Sequence, residues 1–194
     1  MVLSNVEIVR ALNTGAFKIK NLPSLDPSER PFNTSAVDLR LGNEITIPKS
    51  EGEPIQLDLR RGSIAKFWAK NSEKLPIRGD HPYVLEPHKF ILANTLEAVD
   101  FPITGNPCYC ARVEGKSSVA RCGVLVHFTA PTIHAGFNGP ITLEMINFGP
   151  VNFLLFPGMA ICQLIIEEVK GCPADAPNQF KGQTNAAGER PPGG

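Results

Sequence analysis

The sequence predicts a mostly β domain, built as a sandwich or a distorted barrel. Eighteen prolines and 17 glycines are spread along most of the chain of 194 residues. They separate short apolar stretches at intervals typical of strands and turns rather than of long helices. A chain of this length can bury a core of its own, and neither a repeat nor a linker divides it. We therefore expect one domain over residues 1–194.

The first segment carries the signals of a short helix. Ser4 and Glu7 have the spacing of a capping box, and Leu3 and Ile8 can form a hydrophobic staple. Gly15 is a typical helix stop. These signals predict a helix of about ten residues that packs its apolar side on the domain.

Most of the remaining chain has strand and turn patterns. Residues 36–42 alternate apolar and charged side chains, which predicts a half-buried strand that Gly42 ends. Residues 48–82 are rich in charge, proline and glycine, which predicts an irregular excursion with short strands and with Phe67 and Trp68 as anchors. Beyond it the strand patterns become regular. They predict strands at 90–96, 107–113, 123–128, 141–147, 151–156 and 159–167.

The segment after Gly171 is polar and carries almost no apolar side chain. Such a segment cannot bury enough apolar surface to fold alone. We expect it to stay mobile from about residue 173 or to become ordered over a ligand, with a disordered end at residues 189–194.

Charge and composition exclude several classes of partner. Basic and acidic side chains both number 19, so no overall field favours a nucleic-acid polymer or an anionic membrane. The first residues lack the basic start and apolar stretch of a signal peptide, and no apolar run is long enough to span a membrane. The five cysteines are an odd number set mostly in apolar runs, which is typical of reduced thiols. We expect a cytoplasmic protein.

Residues 115–121 could form an anion site. The sequence Gly-Lys-Ser-Ser resembles the end of a Walker phosphate loop, but Cys110 stands where that loop needs a glycine. The segment nevertheless combines two cations and two hydroxyls between apolar strands, so a short helix there would make a plausible anion cradle. An ordinary charged connection explains the same residues.

The sequence argues against a zinc site. A zinc nucleobase deaminase needs a His-x-Glu element and a Pro-Cys-x-x-Cys element, and the chain has neither. Cys108 and Cys110 would share a strand face without a complementary Cys or His pair. His81, His88 and His127 have no partner at metal-ligand or triad spacing.

Glu144 is a candidate general acid/base. In the strand 141–147, Ile141, Leu143 and Met145 share one face, so Glu144 points to the other face. Desolvation there would raise the pKa of the carboxyl towards values useful for proton transfer. A solvent-facing or salt-bridged glutamate fits the same alternation, which leaves both interpretations open.

Several segments together resemble the core of the dCTP deaminases, members of the trimeric dUTPase superfamily. They are Gly115-Lys-Ser-Ser-Val-Ala-Arg-Cys-Gly123, Thr129-Ala-Pro131, His134-Ala-Gly-Phe-Asn-Gly139 and Ile141-Thr-Leu-Glu144. Weaker matches lie at 36–43, 157–159, 163–164 and 179–184. The resemblance implies a distorted barrel or jelly-roll-like dUTPase fold with a short N-terminal helix and few other short helices. It also implies a homotrimer with active sites shared between subunits.

The same resemblance implies hydrolysis of dCTP to dUTP and ammonia without zinc, with Mg2+ held only through the triphosphate. Glu144 would take a proton from the attacking water and return protons to the ring and to the leaving ammonia. Ser117 and the Ala130 carbonyl would hold that water. Arg121 would stabilise the tetrahedral intermediate or keep Glu144 correctly charged.

The substrate contacts are implied in the same way. Thr142 and Leu143 would frame the base through their backbone, and Gln183 in the tail would close over the nucleotide. The phosphates would meet Lys116, Ser118 and nearby backbone amides. Ser117, Val119, Ala120 and Arg121 belong to the same substrate-binding segment.

Three positions depart from the family pattern. Lys116 replaces an arginine that many relatives have, and keeps the positive charge but not the bidentate hydrogen-bonding geometry of a guanidinium group. Gln179 replaces a lysine found in some relatives. His134 replaces an aspartate that dUTPases and bifunctional deaminases use near the sugar, which argues against cleavage of the triphosphate. One alternative is a bifunctional deaminase or a dUTPase, and dUTPases usually have an apolar residue in place of Glu144. The other alternative is a non-catalytic nucleotide-binding regulator.

Overall fold

The computed structural model describes residues 1–49, 57–58, 60, 63–177 and 180–189. The mostly β prediction is confirmed. Three short helices occur in the described residues, α1 (Asn5–Asn13), α2 (Ile64–Asn71) and α3 (Ser117–Ala120). The strands are β1 (Lys18–Lys20), β2 (Phe32–Asn33), β3 (Ala36–Pro48), β4 (Ser72–Pro76), β5 (Tyr83–Leu85), β6 (Phe90–Asp100), β7 (Cys108–Gly115), β8 (Val124–Leu125), β9 (Thr132–Ile133), β10 (Asn138–Asn147), β11 (Phe153–Leu155) and β12 (Ala160–Val169).

One large sheet organises the described part of the chain. Its strand order is β8-β10-β6-β3-β12-β7-β9, with β1 beside β6 and with β2 and β4 beside β3. Strands β5 and β11 form a separate antiparallel pair. The long β3 joins two parts of the sheet, because it pairs with β12 at its start and with β6 and β4 further along. The core lies inside the curl of this sheet and includes Leu39, Ile91, Leu143 and Leu164, all without exposed surface.

The predicted N-terminal helix is confirmed. Ser4 is the N-cap, and its hydroxyl accepts a hydrogen bond from the Glu7 amide at 3.3 Å. The Glu7 carboxylate instead pairs with Arg10 one turn on, so only half of the predicted capping box forms. Ile8 is fully buried and fastens the helix to the core.

Two expectations for the strand at 36–42 are wrong. Gly42 does not end it, because β3 continues to Pro48 past an irregularity between Leu41 and Ile45. A Cβ on Gly42 would lie 2.9 Å from the Asn94 carbonyl oxygen, so glycine permits the close approach of β6. The alternation is also not half-exposed, since Asp38 is as buried as its apolar neighbours.

Asp38 is buried because four side chains satisfy its carboxylate. It accepts hydrogen bonds from Arg30 at 3.0 Å, Asn33 at 2.8 Å, Lys116 at 2.5 Å and Gln163 at 3.1 Å. Burial alone would raise the pKa of Asp38, but the bonds from Lys116, Gln163 and Asn33 outweigh it and lower that pKa below its ordinary value. One carboxylate thus joins β2, β3, β12 and the start of α3.

The excursion at 48–82 contains a helix that the sequence patterns do not predict. Parts of the excursion lie outside the described residues, but residues 64–71 form α2 and residues 72–76 pair with β3 as β4. Phe67 and Trp68 are half-buried anchors, as expected, with ring centroids 5.6 Å apart. The predicted strand at 123–128 shortens to β8 and that at 151–156 to β11, because so few of their residues pair with a neighbour.

Replacing Asp38 tests the role of its carboxylate. We expect Asp38→Ala to lower the free energy of unfolding at pH 7 by about 3–5 kcal/mol, because it leaves the largely buried Lys116 cation without its partner. The folded-state pKa of Asp38 lies below the unfolded value of about 3.9, so this stability is present above that pH and is lost as pH falls through the folded pKa.

Denaturant titrations from pH 7 down to pH 3 measure this difference. Asp80→Ala is the matched control, because the Asp80 side chain is 75% exposed. A loss at Asp38 no greater than at Asp80 would contradict the prediction.

Candidate active site

A cavity of about 1130 Å³ lies beside the sheet and is the candidate site. Its walls come from β6, β10, the segment 127–137, helix α2 and the chain that follows β12. Among the described residues that line it, the titratable side chains are Cys110, His127, His134 and Glu144, and none is a lysine or an arginine. The cavity is therefore built for a largely uncharged group.

Strand β10 places Glu144 on the cavity wall. Leu143 and Met145 are fully buried on the core face of the strand, whereas Glu144 lies on the opposite face, as the alternation predicts. Glu144 is paired with Leu92 of the central strand β6. The interpretation of Glu144 as an ordinary surface residue is thus excluded.

The surroundings of Glu144 suit proton transfer. Burial raises the pKa of its carboxyl, and hydrogen bonds from its own backbone and that of Phe128, with the nearby His127, oppose the rise without cancelling it. The Glu144 carboxyl is therefore easier to protonate than an exposed glutamate, which favours a role in proton transfer.

His127 is a site residue that sequence reasoning missed. It lines the same cavity as Glu144, and its Nδ1 is buried with no hydrogen-bond partner in the described part of the chain. Its Nε2 lies 3.9 Å from the Glu114 carboxylate, at the edge of an ion pair. No spacing rule could have found His127, because Glu144 is distant in sequence and no motif joins them.

Five of the predicted site residues meet at this cavity. Ala130, His134, Thr142 and Gln183 line it together with Glu144. Leu143 is different, because its side chain is fully buried in the core and only its backbone can serve the site.

The tail folds back over the cavity. The Gln183 amide donates to the Pro140 carbonyl at 2.9 Å and to the Thr142 hydroxyl at 3.0 Å, and Gln183 is only 5% exposed. Gly139 permits this approach, since a Cβ there would lie 2.7 Å from the Gln183 carbonyl oxygen. Glu189 is not disordered as expected, because it pairs with Lys74 at 2.8 Å.

The predicted phosphate-binding segment lies outside the cavity lining. Ser117, Ser118 and Arg121 are exposed on and beside the short helix α3, as is Ala120, while Val119 is buried beneath them. Lys116 is largely buried and pairs with Asp38 rather than standing free. Gln179 lies outside the described residues. Within one chain, the exposed Arg121 therefore lies outside the cavity that Glu144 lines.

Neither thiols nor acidic clusters add a second centre. All five cysteines are free. In the part of the chain that the structure describes, no three His, Cys, Asp or Glu side chains converge as metal ligands. No helix in that part is long and apolar enough to cross a membrane.

Comparison with known proteins decides the family. The family model described as dCTP deaminase-like matches residues 2–169, which is most of the chain. The chain belongs to the dCTP deaminase-like family.

Relatives within the family resemble the chain along most of its length. A protein of Dictyoglomus thermophilum named "dCTP deaminase, dUMP-forming" is 36% identical over 177 residues, covering 91% of this chain and 84% of its own. A "dCTP deaminase" of Natronomonas pharaonis is 34% identical over 203 residues, covering 98% of this chain and 94% of its own.

A solved family structure shares the fold. The 2'-deoxycytidine 5'-triphosphate deaminase of Agrobacterium tumefaciens superposes with a TM-score of 0.62 at 18% identity, over 85% of this chain. The match covers 47% of that longer chain, so this chain spans about half of its length. The predicted fold class is confirmed.

The raised pKa of Glu144 predicts a pH-dependent effect on stability. Above its folded-state pKa the carboxyl is ionised in both states at a cost to the folded one, whereas below its unfolded pKa of about 4.3 it becomes neutral in both and the cost disappears. We expect Glu144→Gln to raise the melting temperature, relative to the wild type, more at pH 8 than at pH 4. Scanning calorimetry measures this, with the exposed Glu73→Gln as control. The same change in melting temperature at both pH values would contradict the raised pKa of Glu144.

Proposed function

We propose that the protein hydrolyses the 4-amino group of dCTP and releases dUTP and ammonia. The observation that carries the proposal is the partly buried Glu144 carboxyl, with its raised pKa, on the wall of a cavity whose described lining has no fixed cation. A neutral pyrimidine fits such a cavity, and an acid/base group beside it suits hydrolysis at a ring carbon. Membership of the family and the names of its relatives support the same reaction.

Glu144 would move the protons of the reaction. Its carboxylate takes a proton from a water that attacks C4 and delivers it to N3. It then takes the second proton from the new C4 hydroxyl and delivers it to the amino group, which leaves as ammonia when the C4–N bond breaks. The Ala130 carbonyl, on the same cavity wall, would hold that water together with the Ser117 hydroxyl. Arg121 would stabilise the negative charge that develops in the intermediate.

A homotrimer with shared sites would bring these groups together. One chain carries Glu144 in the cavity and Arg121 outside its lining, so a second copy would supply the segment 116–121. The described surface also has exposed apolar side chains that a neighbouring subunit would cover. They include Val84, Leu125, Phe148, Val151, Leu154 and Phe156.

We propose that Mg2+ arrives with the triphosphate. Because no three described acidic, His or Cys side chains converge, phosphate oxygens and water would supply its ligands. The ion neutralises charge on the phosphates, and Lys116, Ser118 and the backbone at Val119 and Ala120 would contact the rest.

A second candidate is conversion of dCTP to dUMP. The Dictyoglomus thermophilum relative carries the name "dUMP-forming", which favours this outcome. The exposed His134 on the cavity wall argues for deamination to dUTP alone, because it offers no carboxylate to activate a second water for cleavage of the triphosphate. A non-catalytic regulator would not need a buried proton-transfer group in the cavity.

Product analysis tests the reaction. We expect dCTP incubated with the purified protein and Mg2+ to give dUTP and ammonia, resolved by chromatography, with EDTA but not a zinc-selective chelator stopping turnover. Glu144→Gln should lower kcat by about 10²- to 10⁴-fold, as expected for the loss of a general acid/base, while nucleotide binding survives. dUMP with pyrophosphate would favour the second candidate. Turnover of Glu144→Gln near the wild-type rate would overturn the role of Glu144.

A mixing experiment tests the shared site. Glu144→Gln and Arg121→Ala should each be nearly inactive, because each removes a group from every site. Co-expressed in equal amounts, they should recover roughly a quarter of wild-type activity, since a quarter of randomly assembled sites draw an intact Glu144 and an intact Arg121 from two subunits.

Light scattering on the same samples should give the mass of three chains. Absence of recovery in co-expressed samples of that mass would show that each chain builds its site alone.

A further inference from the structure

The cavity has a polar end and an apolar end, with Glu144 between them. Strand pairing fixes the order along β6 and β10: Thr142 opposite Asn94, Glu144 opposite Leu92, and Ile146 opposite Phe90. Successive pairs are about 7 Å apart, since each step spans two strand residues. The cavity receives Thr142 from the first pair, Glu144 and Leu92 from the second, and Phe90 from the third.

The polar end is held by hydrogen bonds. The Thr142 hydroxyl accepts from the Gln183 amide at 3.0 Å, and the Pro140 carbonyl accepts from the same amide at 2.9 Å. His134 lines this cavity as well. These groups suit the sugar and the hydrogen-bonding edge of a nucleoside.

The apolar end is built from aromatic rings. Trp68 of α2 reaches the cavity, with its ring centroid 6.1 Å from that of Phe90. Phe90 lies 5.8 Å from Phe128, and Ile64 and Leu92 complete this part of the lining. No described residue here offers a charged group to a ligand.

The chemistry of the pyrimidine ring decides what occupies the apolar end. This step rests on the proposed function, in which C4 of the base lies beside Glu144. N1, which carries the sugar, is opposite C4 across the ring, so a sugar at the Thr142 end directs the C4–C5 edge towards Phe90 and Trp68. C5 needs no hydrogen bond, unlike N3 and the amino group. At about 1130 Å³ the cavity exceeds the roughly 300–1,000 Å³ typical of ligand pockets, which leaves room beyond an unsubstituted base.

We propose that the apolar end formed by Trp68, Phe90 and Leu92 accepts a small apolar group on C5, so that the protein also deaminates 5-methyl-dCTP. Water attacks C4, a C4–O bond forms, the C4–N bond breaks, and the products are dTTP and ammonia. Glu144 moves the same protons as with dCTP, and no oxidant or reductant is needed. Trp68 is then a specificity-determining residue for the C5 position.

Paired kinetics on the full chain with Mg2+ test the proposal. We expect kcat/KM for 5-methyl-dCTP to lie within about tenfold of that for dCTP, with dTTP and ammonia as products. A kcat/KM for 5-methyl-dCTP more than 100-fold lower, while dCTP turns over, would overturn this inference and leave the proposed function intact. Failure of both substrates would overturn the proposed function itself.

Variants of α2 test the role of Trp68. Trp68→Ala should lower the ratio of the two kcat/KM values, 5-methyl-dCTP over dCTP, by about tenfold, because the methyl group loses its aromatic contact. Trp68→Phe should retain most of the ratio, which separates lost contact from lost folding. Phe67→Leu is the matched control, because Phe67 lies on the same helix but does not line the cavity. An unchanged ratio in a folded Trp68→Ala that still converts dCTP would overturn the assignment of Trp68.

Discussion

The two-residue alternation of β10 is the constraint on which the site depends. Leu143 and Met145 are held in the core without exposed surface, and that burial fixes which face of the strand Glu144 occupies. Pairing with β6 fixes its position along the strand, opposite Leu92. A slip of one residue would bury the carboxylate and expose two large apolar side chains, at a cost comparable to the usual margin of stability. The Glu144 carboxyl is therefore placed on the cavity wall by core packing and not by contacts of its own.

The features that local patterns predicted are those that local forces determine. The N-cap at Ser4 and the face of β10 follow from neighbouring residues alone, and both are confirmed. Asp38 could not be predicted as buried, because three of its four partners lie in β2, β12 and the start of α3. Gly42 was wrongly predicted to end the strand. Its actual role is a close approach to Asn94, which is a contact between distant segments that local patterns do not show. Helix α2 and the place of His127 in the cavity were not predicted for the same reason, because both depend on contacts between distant segments.

In the described residues the cavity lining and the exposed Arg121 lie on different parts of the chain's surface. The described lining of the cavity has no lysine or arginine, and the exposed Arg121 lies on another part of the surface. Fixed cations inside the cavity would favour the ionised form of Glu144 and so lower the pKa that burial raises. The absence of such cations from the described lining is therefore consistent with the raised pKa of Glu144.

The folded tail is held by a buried contact at Gln183 and by an exposed ion pair at Glu189, and the two respond differently to dissolved salt. Gln183 bonds to Pro140 and Thr142 while almost fully buried, so dissolved ions barely reach those bonds. The Glu189–Lys74 pair has both side chains more than a third exposed, where salt screens the attraction. Rising ionic strength therefore loosens the outer end of the tail while the inner end stays closed. The tail is thus expected to detach from the cavity in a fixed order as salt rises, the outer ion pair before the hydrogen bonds of Gln183.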